Sequence, residues 1–285
     1  MTTTVETPSG KQAGDENFPV GSWLLPAALR PHIATYYAYA RAIDDIADNP
    51  ALEPDDKIAR LDRFENVLRG LEEPNGSLDK ARAVRESMAE MGVDVRHGID
   101  LVTAFKQDAV KLRYENWDEL IDYCLHSAAP VGRFLIDLHG ESKAAYAASD
   151  ALCNALRILN HLQDCQDDYR ELDRVYLPLD WMRDAGIAVA VLDEPAASPA
   201  LRQVMDRCLD GTERLLDTAR GLPSRIRTTR FAVEAAMILR IAERLMVELR
   251  HRDPLTERVV LSKPRYLLCG LSGLGMVLRR SKAAP

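Results

Sequence analysis

The sequence predicts an all-α fold that forms a single domain. Alanine, leucine, arginine and glutamate dominate the chain, and the alternating Val/Ile/Thr pattern of β-strands is scarce. Its 285 residues are 47% hydrophobic and 28% charged, which is enough to bury one large core. No internal repeat and no long flexible linker divides the sequence. We therefore expect one helical domain over residues 17–285, preceded by a flexible polar tail over residues 1–16.

Six long helices are predicted, each bounded by a turn. The turns are rich in proline, glycine and aspartate and lie at 49–56, 72–76, 178, 193–199, 221–224 and 253–254. Pro31 lies in the first turns of the first helix, where proline is tolerated, and Gly70 ends the second helix as a C-terminal cap. The six predicted helices cover residues 26–47, 56–69, 117–138, 149–169, 198–220 and 229–250.

Charge is distributed unevenly along the chain. The net charge is −7, but residues 220–285 contain 14 Lys/Arg against 5 Asp/Glu, so this part carries +9 and the remainder −16. A strongly acidic body argues against nucleic-acid binding. The basic C-terminal part fits either solvated helix faces or a surface that meets an anionic ligand or membrane.

Cysteine usage and hydropathy indicate a cytoplasmic protein. The five cysteines are scattered and include no C-x-x-C pair, so we expect buried thiols in a reducing compartment rather than disulfides or zinc ligands. No apolar run reaches the ~18 residues of a transmembrane helix. The polar N-terminus lacks the apolar stretch of a signal peptide.

A polar stripe runs along the first predicted helix. Tyr37, Arg41, Asp44 and Asp48 are spaced to share one helix face, while the rest of the helix is apolar nearly all round and should be buried. Asp44 and Asp48 repel each other at this spacing, and burying them unpaired would cost several kcal/mol. Arg41 can offset one charge, and a divalent cation is the natural partner for the other.

A second polar stripe repeats this arrangement on the fourth predicted helix. Asn160, Asp164 and Asp168 step by four residues, and Arg157 lies one turn before them. Carboxylate and amide oxygens are hard donors suited to Mg²⁺, which proteins usually hold through one or two carboxylates plus substrate phosphates. The sequence thus predicts two stripes that hold a diphosphate through bridging Mg²⁺ ions, with arginines taking the remaining charge.

Such a site would serve the departure of diphosphate from a carbocation. The metal ions would neutralise the charge that grows on the leaving group, and an apolar cavity would hold the hydrocarbon part and exclude water. One D-x-x-x-D motif alone is more often an exposed acidic face or a partner for a nearby Lys or Arg. Two such motifs, each with an arginine and each on an apolar helix, favour the metal site.

At these residues the chain resembles the squalene/phytoene synthase family. That family carries D-x-x-x-D and then N-x-x-x-D-x-x-x-D followed by R-hydrophobic-Tyr-Leu-Pro, which here are Asp44–Asp48, Asn160–Asp168 and Arg174–Pro178. Residues 117–132 are similar to the family segment E-L-x-x-Y-C-x-x-x-A-x-x-V-G. The likeness runs from about residue 17 to residue 265. It implies an isoprenoid-synthase helical bundle with a central apolar cavity.

The resemblance also assigns residue roles by motif position. The Mg²⁺ ligands would be Asp44, Asp48, Asn160, Asp164 and Asp168. The catalytic residues would be Tyr123, placed near the reacting carbons, together with Asp44, Asp48 and Asp164. The residues that bind the prenyl diphosphate substrate would be Phe18, Tyr37, Arg41, Arg174, Tyr176 and Arg258, and Arg157 of the second polar stripe would join them.

Three departures from the family pattern stand out. Residues 14–18 read Gly-Asp-Glu-Asn-Phe where H-S-x-S-F is usual, so serine contacts with the diphosphate are not expected. Arg157 stands in place of a glutamine that is common three residues before Asn160. Pro130 stands where a small residue, often glycine, is usual.

Short segments resemble one bacterial branch of the family, the hydroxysqualene synthases of hopanoid biosynthesis. These segments are residues 15–22, Asp44–Asp48 and residues 261–265. The resemblance implies conversion of presqualene diphosphate and water to hydroxysqualene and diphosphate, without a reductant. A related synthase would supply the substrate and a downstream reductase would use the product. The alternative is head-to-head condensation of two prenyl diphosphates to squalene, phytoene or presqualene diphosphate.

The C-terminal segment 266–278 is too short to span a membrane. It has 13 residues with three glycines and is flanked by arginines, so it predicts a core or interfacial helix. Ordinary packing is the first expectation, and peripheral contact with anionic lipid at the inner face of the cell membrane is the second. No G-x-G-x-x-G is present, which argues against a Rossmann-type nicotinamide site.

Two other functions fit the sequence less well. A helical scaffold that had lost its chemistry should show eroded aspartates, yet all five metal-type residues are intact. A di-iron bundle needs paired Glu-x-x-His units, and the nearest segment, Asp94-Val-Arg-His97, is expected to be a loop or a solvated turn.

Overall fold

The computed structural model describes residues 5–7, 24–74 and 76–283, with side chains up to residue 279. Within these ranges the chain forms thirteen α-helices and no β-strand, and the only β-type pairing is one bridge between Arg113 and Val175. The all-α prediction is confirmed. Short 3₁₀ turns at 76–78, 143–145 and 189–193 connect some of the helices.

The helices follow one another with short connections. In chain order they are α1 (Arg30–Ala47), α2 (Pro54–Arg69), α3 (Asp79–Met91), α4 (Arg96–Asp108), α5 (Trp117–Ser127), α6 (Ala129–Leu138), α7 (Tyr146–Gln163), α8 (Cys165–Leu172), α9 (Leu179–Asp184), α10 (Pro199–Ala219), α11 (Leu222–Arg225), α12 (Thr229–His251) and α13 (Lys263–Ala283).

Helix α7 lies at the centre of the bundle. It packs against α5, α6, α10 and α12, while α1 packs against α2, α3 and α4. Leu152, Ala155 and Leu159 of α7 are buried, and each buried leucine stabilises the fold by about 1.5–3 kcal/mol. Close packing against α6 depends on Gly132, because a Cβ there would lie 2.7 Å from the sulfur of Cys153. One large core results, beside a small separate cluster of Ile241, Leu261 and Cys269, and a cavity lies between α1, α6, α7 and α12.

The prediction of one helix over residues 117–138 is wrong in one respect, because this segment forms two helices. The backbone leaves the helical region at Ala128, with φ −127° and ψ −47°, and Pro130 lies in the first turn of α6. Proline has no N–H to donate to the carbonyl one turn earlier, so the helical hydrogen bonds of α5 cannot continue through Pro130. The break separates α5 from α6 at Ala128.

The helix predicted over 149–169 is also interrupted. Helix α7 ends at Gln163 and α8 begins at Cys165, with Asp164 between them at φ −105° and ψ 9°. The N–H of Asp164 still donates to the carbonyl of Asn160, at 2.9 Å, and the N–H of Asp168 to that of Asp164, at 2.8 Å. The one-turn spacing of the second motif is therefore retained across the break.

The expectation of a loop or solvated turn at residues 94–97 is wrong for His97. This residue belongs to α4 and is buried, and its Nε2 lies 2.9 Å from Oδ2 of Asp137. The hydrogen bond to the Asp137 carboxylate on α6 replaces a hydrogen bond to water that the imidazole loses on burial. His97 therefore helps to hold α4 against α6.

Residues 5–7 pack against the helical body. Val5 is buried, its carbonyl accepts a hydrogen bond from Arg60, and the hydroxyl of Thr7 donates to the carbonyl of Asp45 at 3.0 Å. Most of the predicted tail over 1–16 lies outside the described residues. Its flexibility and the boundary at residue 17 stay predictions.

Helix α13 packs along α12 through Cys269 and Val277, which are buried. No helix in the described part of the chain is long and apolar enough to cross a membrane. All five cysteines are free thiols, and four of them are buried.

Candidate active site

An apolar cavity of about 310 Å³ lies in the centre of the bundle. Its apolar wall includes Phe105, Phe134, Leu152, Leu156, Phe231 and Ile238. Most polar side chains of the lining lie on α1 and α7 and include Tyr37, Arg41, Asp44, Arg157 and Asn160, and Glu234 of α12 adds a buried carboxyl. The cavity thus joins hydrocarbon-like surface to a charged region.

The first acidic motif is held by two arginines. Arg41 contacts Asp44 at 2.7 Å and Asp45 at 2.7 Å, so one guanidinium serves two carboxylates of α1. Arg174, which follows α8, lies 2.5 Å from Asp48 and donates to the carbonyl of Ala47 at 2.9 Å. Since Arg174 is buried, this contact fixes the segment after the second motif against the end of α1.

Burial and like charge raise the pKa of carboxyls in both motifs. Burial raises the pKa of Asp44 to about 7, Asp48 adds to the rise, and Arg41 and Arg157 oppose it. Burial likewise raises the pKa of Asp168 to about 7, with Asp164 and then Asp48 contributing. Because Asp48, the residue after α1, acts on Asp168 of α8, the two motifs lie near enough to interact electrostatically. Their negative charge is only partly compensated by protein cations.

The donor set fits Mg²⁺, provided that other ligands complete its shell. In the part of the chain that the structure describes, no group of three or more His, Cys, Asp or Glu residues is arranged to hold a metal ion. The carboxylates of the two motifs and the amide of Asn160 are nevertheless hard oxygen donors. A protein that supplies only one or two carboxylates per ion leaves positions for phosphate oxygens and water. The excess negative charge around Asp44 and Asp168 supplies the electrostatic reason for a cation.

A hydrogen-bonded layer lies behind the charged region. The hydroxyl of Tyr123 donates to Asp108 at 2.7 Å and accepts from Arg157, also at 2.7 Å. The hydroxyl of Tyr176 donates to the other oxygen of Asp108 at 3.3 Å, and its ring stacks on His161 with centroids 3.4 Å apart. Burial raises the pKa of Asp108, and Arg174 and Arg157 oppose this rise. The layer fixes the position of Arg157 where it faces the cavity.

The structure brings most of the predicted site residues together. Tyr37, Arg41, Asp44, Arg157 and Asn160 line the cavity. A second group lies close by, and its members contact one another or the first group, or interact with them electrostatically. This group consists of Asp48, Tyr123, Asp164, Asp168, Arg174 and Tyr176.

Tyr123 is fully buried behind Arg157 and is not among the described residues that line the cavity. Arg258 is exposed in the loop after α12. This loop contacts α7 through a hydrogen bond of 2.5 Å that the side chain of Gln163 donates to the carbonyl of Val259. Phe18 lies outside the described residues. The roles assigned to all three stay predictions.

Sequence reasoning missed Asp45, Asp108 and His161. Asp45 follows Asp44 directly and shares its arginine, so the Asp44-Asp45 pair was a usable signal. Asp108 ends α4, and its tyrosine partners are 15 and 68 residues away in sequence. His161 is buried beside Tyr176, and burial lowers its pKa well below the usual range. No local pattern marks Asp108 or His161.

The comparisons with known proteins agree with this architecture. The sequence model of the squalene/phytoene synthase family matches residues 11–265. Hydroxysqualene synthase of Rhodopseudomonas palustris is 44% identical over 282 residues, covering 99% of this chain and 96% of that protein. The protein of the same name from Zymomonas mobilis is 43% identical over 263 residues, covering 91% of this chain and 87% of that protein.

A solved structure shares the fold. The crystal structure of squalene synthase HpnC from Alicyclobacillus acidocaldarius aligns with a TM-score of 0.70 and 28% identity, covering 81% of this chain and 86% of that chain. The expected isoprenoid-synthase bundle is confirmed by this likeness. Together with the family match over residues 11–265, it leads to one conclusion: the chain belongs to the squalene/phytoene synthase family.

Proposed function

We propose that this enzyme converts presqualene diphosphate and water to hydroxysqualene and diphosphate in a reaction that depends on Mg²⁺. The observation that carries the proposal is an apolar cavity whose lining includes Asp44 of the first acidic motif and Asn160 of the second, with Arg41 and Arg157 beside them. The choice of reaction within the family is supported by the full-length relatives named hydroxysqualene synthase, at 43% and 44% identity.

The charged region binds and orients the diphosphate. Arg41 and Arg157 face the cavity and can donate to phosphate oxygens, and guanidinium groups bind such oxygens through paired hydrogen bonds. Asp44, Asp48, Asn160, Asp164 and Asp168 would hold the Mg²⁺ ions. When bound, Mg²⁺ supplies charge stabilisation for the leaving diphosphate. Arg174 keeps Asp48 in place through its 2.5 Å contact.

The reaction then proceeds in the apolar part of the cavity. The C–O bond to diphosphate breaks and its electron pair leaves with the diphosphate, which creates a cyclopropylcarbinyl cation. The cation rearranges, and the oxygen of a water molecule forms the new C–O bond and releases a proton. Aromatic side chains such as Phe105 and Phe134 line this region, and their ring faces favour a nearby positive charge.

Water capture requires a polar position within this apolar wall. Ser127 and Ser149 supply hydroxyls to the cavity lining. The Ser127 oxygen is buried and has no hydrogen-bond partner among the described residues, so it can receive one water molecule. Most of the wall cannot, because water there would lack polar neighbours.

Head-to-head condensation of two prenyl diphosphates is the alternative reaction, and it uses the same charged groups. Product analysis separates the two reactions. Purified protein is incubated with presqualene diphosphate and Mg²⁺ without a nicotinamide, and the products are identified by mass spectrometry. Hydroxysqualene is expected. Recovery of unchanged presqualene diphosphate, together with consumption of farnesyl or geranylgeranyl diphosphate, would contradict the proposal and favour condensation.

The proposed reaction also places the enzyme between two others. Its substrate must come from a related synthase that forms presqualene diphosphate, and its product would pass to a reductase. We propose a cytoplasmic location with peripheral contact at the inner face of the cell membrane, because a substrate and a product with long hydrocarbon chains partition into lipid.

A further inference from the structure

Helix α13 has an exposed apolar face. Five leucines with spacing typical of one helix face form it, and each is at least 40% exposed: Leu267, Leu268, Leu271, Leu274 and Leu278. The opposite face packs on α12. A contiguous apolar face of this kind on an otherwise packed helix indicates a contact surface. We call these five residues the leucine face.

The segment that carries the leucine face contains charges of only one sign. Residues 258–285 contain six Lys/Arg and no Asp or Glu. Lys263 lies before the leucines and Arg279 after them, and both are exposed. Neither forms an ion pair with any residue that the structure describes, whereas Arg265 is 2.6 Å from Glu248. Two exposed cations, without an ion-pair partner in the described part of the chain, therefore lie before and after the leucine face.

The leucine face is separated from the cavity only by α12. A Cβ at Gly273 would lie 2.7 Å from the backbone nitrogen of Met237, so the two helices are in backbone contact there. Ala235 and Ile238, on either side of this contact, line the cavity. The surface that α13 presents to solvent is thus attached directly to the wall of the apolar cavity.

We propose that the leucine face lies in the surface of a membrane that contains anionic lipids. An amphipathic helix with leucines on one side and flanking cations binds in the plane of such an interface, with Lys or Arg near the lipid phosphates. The absence of any acidic residue after Glu257 complements a negative lipid surface better than a protein face of mixed charge. Any role of this surface in releasing a hydrocarbon product rests on the proposed function, but the surface itself does not.

Vesicle flotation tests the surface without reference to the reaction. The intact protein is mixed with phosphatidylcholine vesicles or with vesicles of phosphatidylcholine and phosphatidylglycerol. The test variant is Leu267→Glu/Leu271→Glu, and the matched control is Leu71→Glu, which changes a leucine that is 74% exposed after α2. Wild type and control should bind the anionic vesicles, and added salt should weaken this binding. The double variant should bind them at least about tenfold less well.

Two further measurements make the result decisive. Thermal unfolding should be the same for the three proteins, because the changed side chains are exposed, and turnover of detergent-solubilised substrate should also be unchanged. Equal vesicle binding by the double variant and the control, or no binding by wild type, would overturn the proposal. Light scattering that found a wild-type dimer and a monomeric double variant, without vesicle binding, would assign the face to a second copy instead.

Discussion

Replacing Asp44 by asparagine should stabilise the metal-free protein while it abolishes turnover. The pKa of Asp44 is raised from its ordinary 3.8 to about 7, first by burial and then by Asp48. Ionising this carboxyl at pH 8 therefore costs the folded state more than the unfolded state. Asparagine has nearly the same shape and carries no charge, so the variant avoids this cost. Arg41 keeps its contact with Asp45 at 2.7 Å.

The size of the effect follows from the raised pKa. A shift of about 3 pKa units corresponds to about 4 kcal/mol at 1.36 kcal/mol per unit. The Asp44 side chain is 20% exposed and touches Arg41, so solvent and the guanidinium reduce this figure to roughly 1–3 kcal/mol. For a chain of this size that corresponds to a rise of about 2–6 °C in the melting temperature.

The pH dependence has a definite sign. Between pH 3.8 and about 7 the folded state binds the Asp44 proton and the unfolded state does not, so the free energy of unfolding falls as pH rises. Above about pH 7 the two states bind equally and the dependence ends. The advantage of Asp44→Asn should therefore grow from pH 4 to pH 7 and remain constant at higher pH.

Calorimetry at pH 5 and pH 8, in buffer with a chelator, checks this prediction. Asp122→Asn is the control, because Asp122 is exposed in the middle of α5 and its loss should change stability by less than about 0.5 kcal/mol. A variant that is less stable than wild type at pH 8 would refute the reasoning. It would mean that Asp44 is stabilised by its arginines rather than destabilised by burial and Asp48.

Three other changes give separate tests. Arg174→Ala should abolish turnover and lower the free energy of unfolding by about 1–3 kcal/mol in urea titrations, because it removes the buried cation from Asp48; unchanged stability would count against that pairing. Asp108→Ala should cost about 1–3 kcal/mol, since the hydroxyls of Tyr123 and Tyr176 lose their acceptor, and Asp108→Asn should recover part of the loss. Mg²⁺ plus inorganic diphosphate should raise the melting temperature more than the sum of their separate effects, and a merely additive thermal shift would contradict a bridged site.

The parts of the site that the sequence predicts are those carried by local spacing. Tyr37, Arg41 and Asp44 all line the cavity, because residues at i, i+4 and i+7 of one helix must share a face. Asp48 raises the pKa of Asp168, so the two motifs lie near each other. Only the likeness of the two motifs suggested this from the sequence. Helical periodicity and a repeated charge pattern therefore carry real information about this site.

The parts that the sequence does not predict depend on contacts between distant segments. Asp108 is one of two carboxyls of α4 and ends this amphipathic helix, and its role appears only when α4 meets Tyr123 and Tyr176. The break at Ala128 was readable in principle, since Pro130 follows closely. The break at Asp164 has no such signal, because neither proline nor glycine lies nearby.

The charge of the site links fold stability to metal binding. The pKa values of Asp44 and Asp168 are raised to about 7 in the metal-free protein, and the proposed Mg²⁺ site would require both carboxyls ionised. Protons and Mg²⁺ would then compete for the same oxygens, so metal binding should release protons near pH 7 and weaken as pH falls. Asp44→Asn would relieve the repulsion between Asp44 and Asp48, and the same repulsion favours the binding of a cation. The stability that the variant gains therefore measures part of the free energy that is available to bind Mg²⁺ with diphosphate.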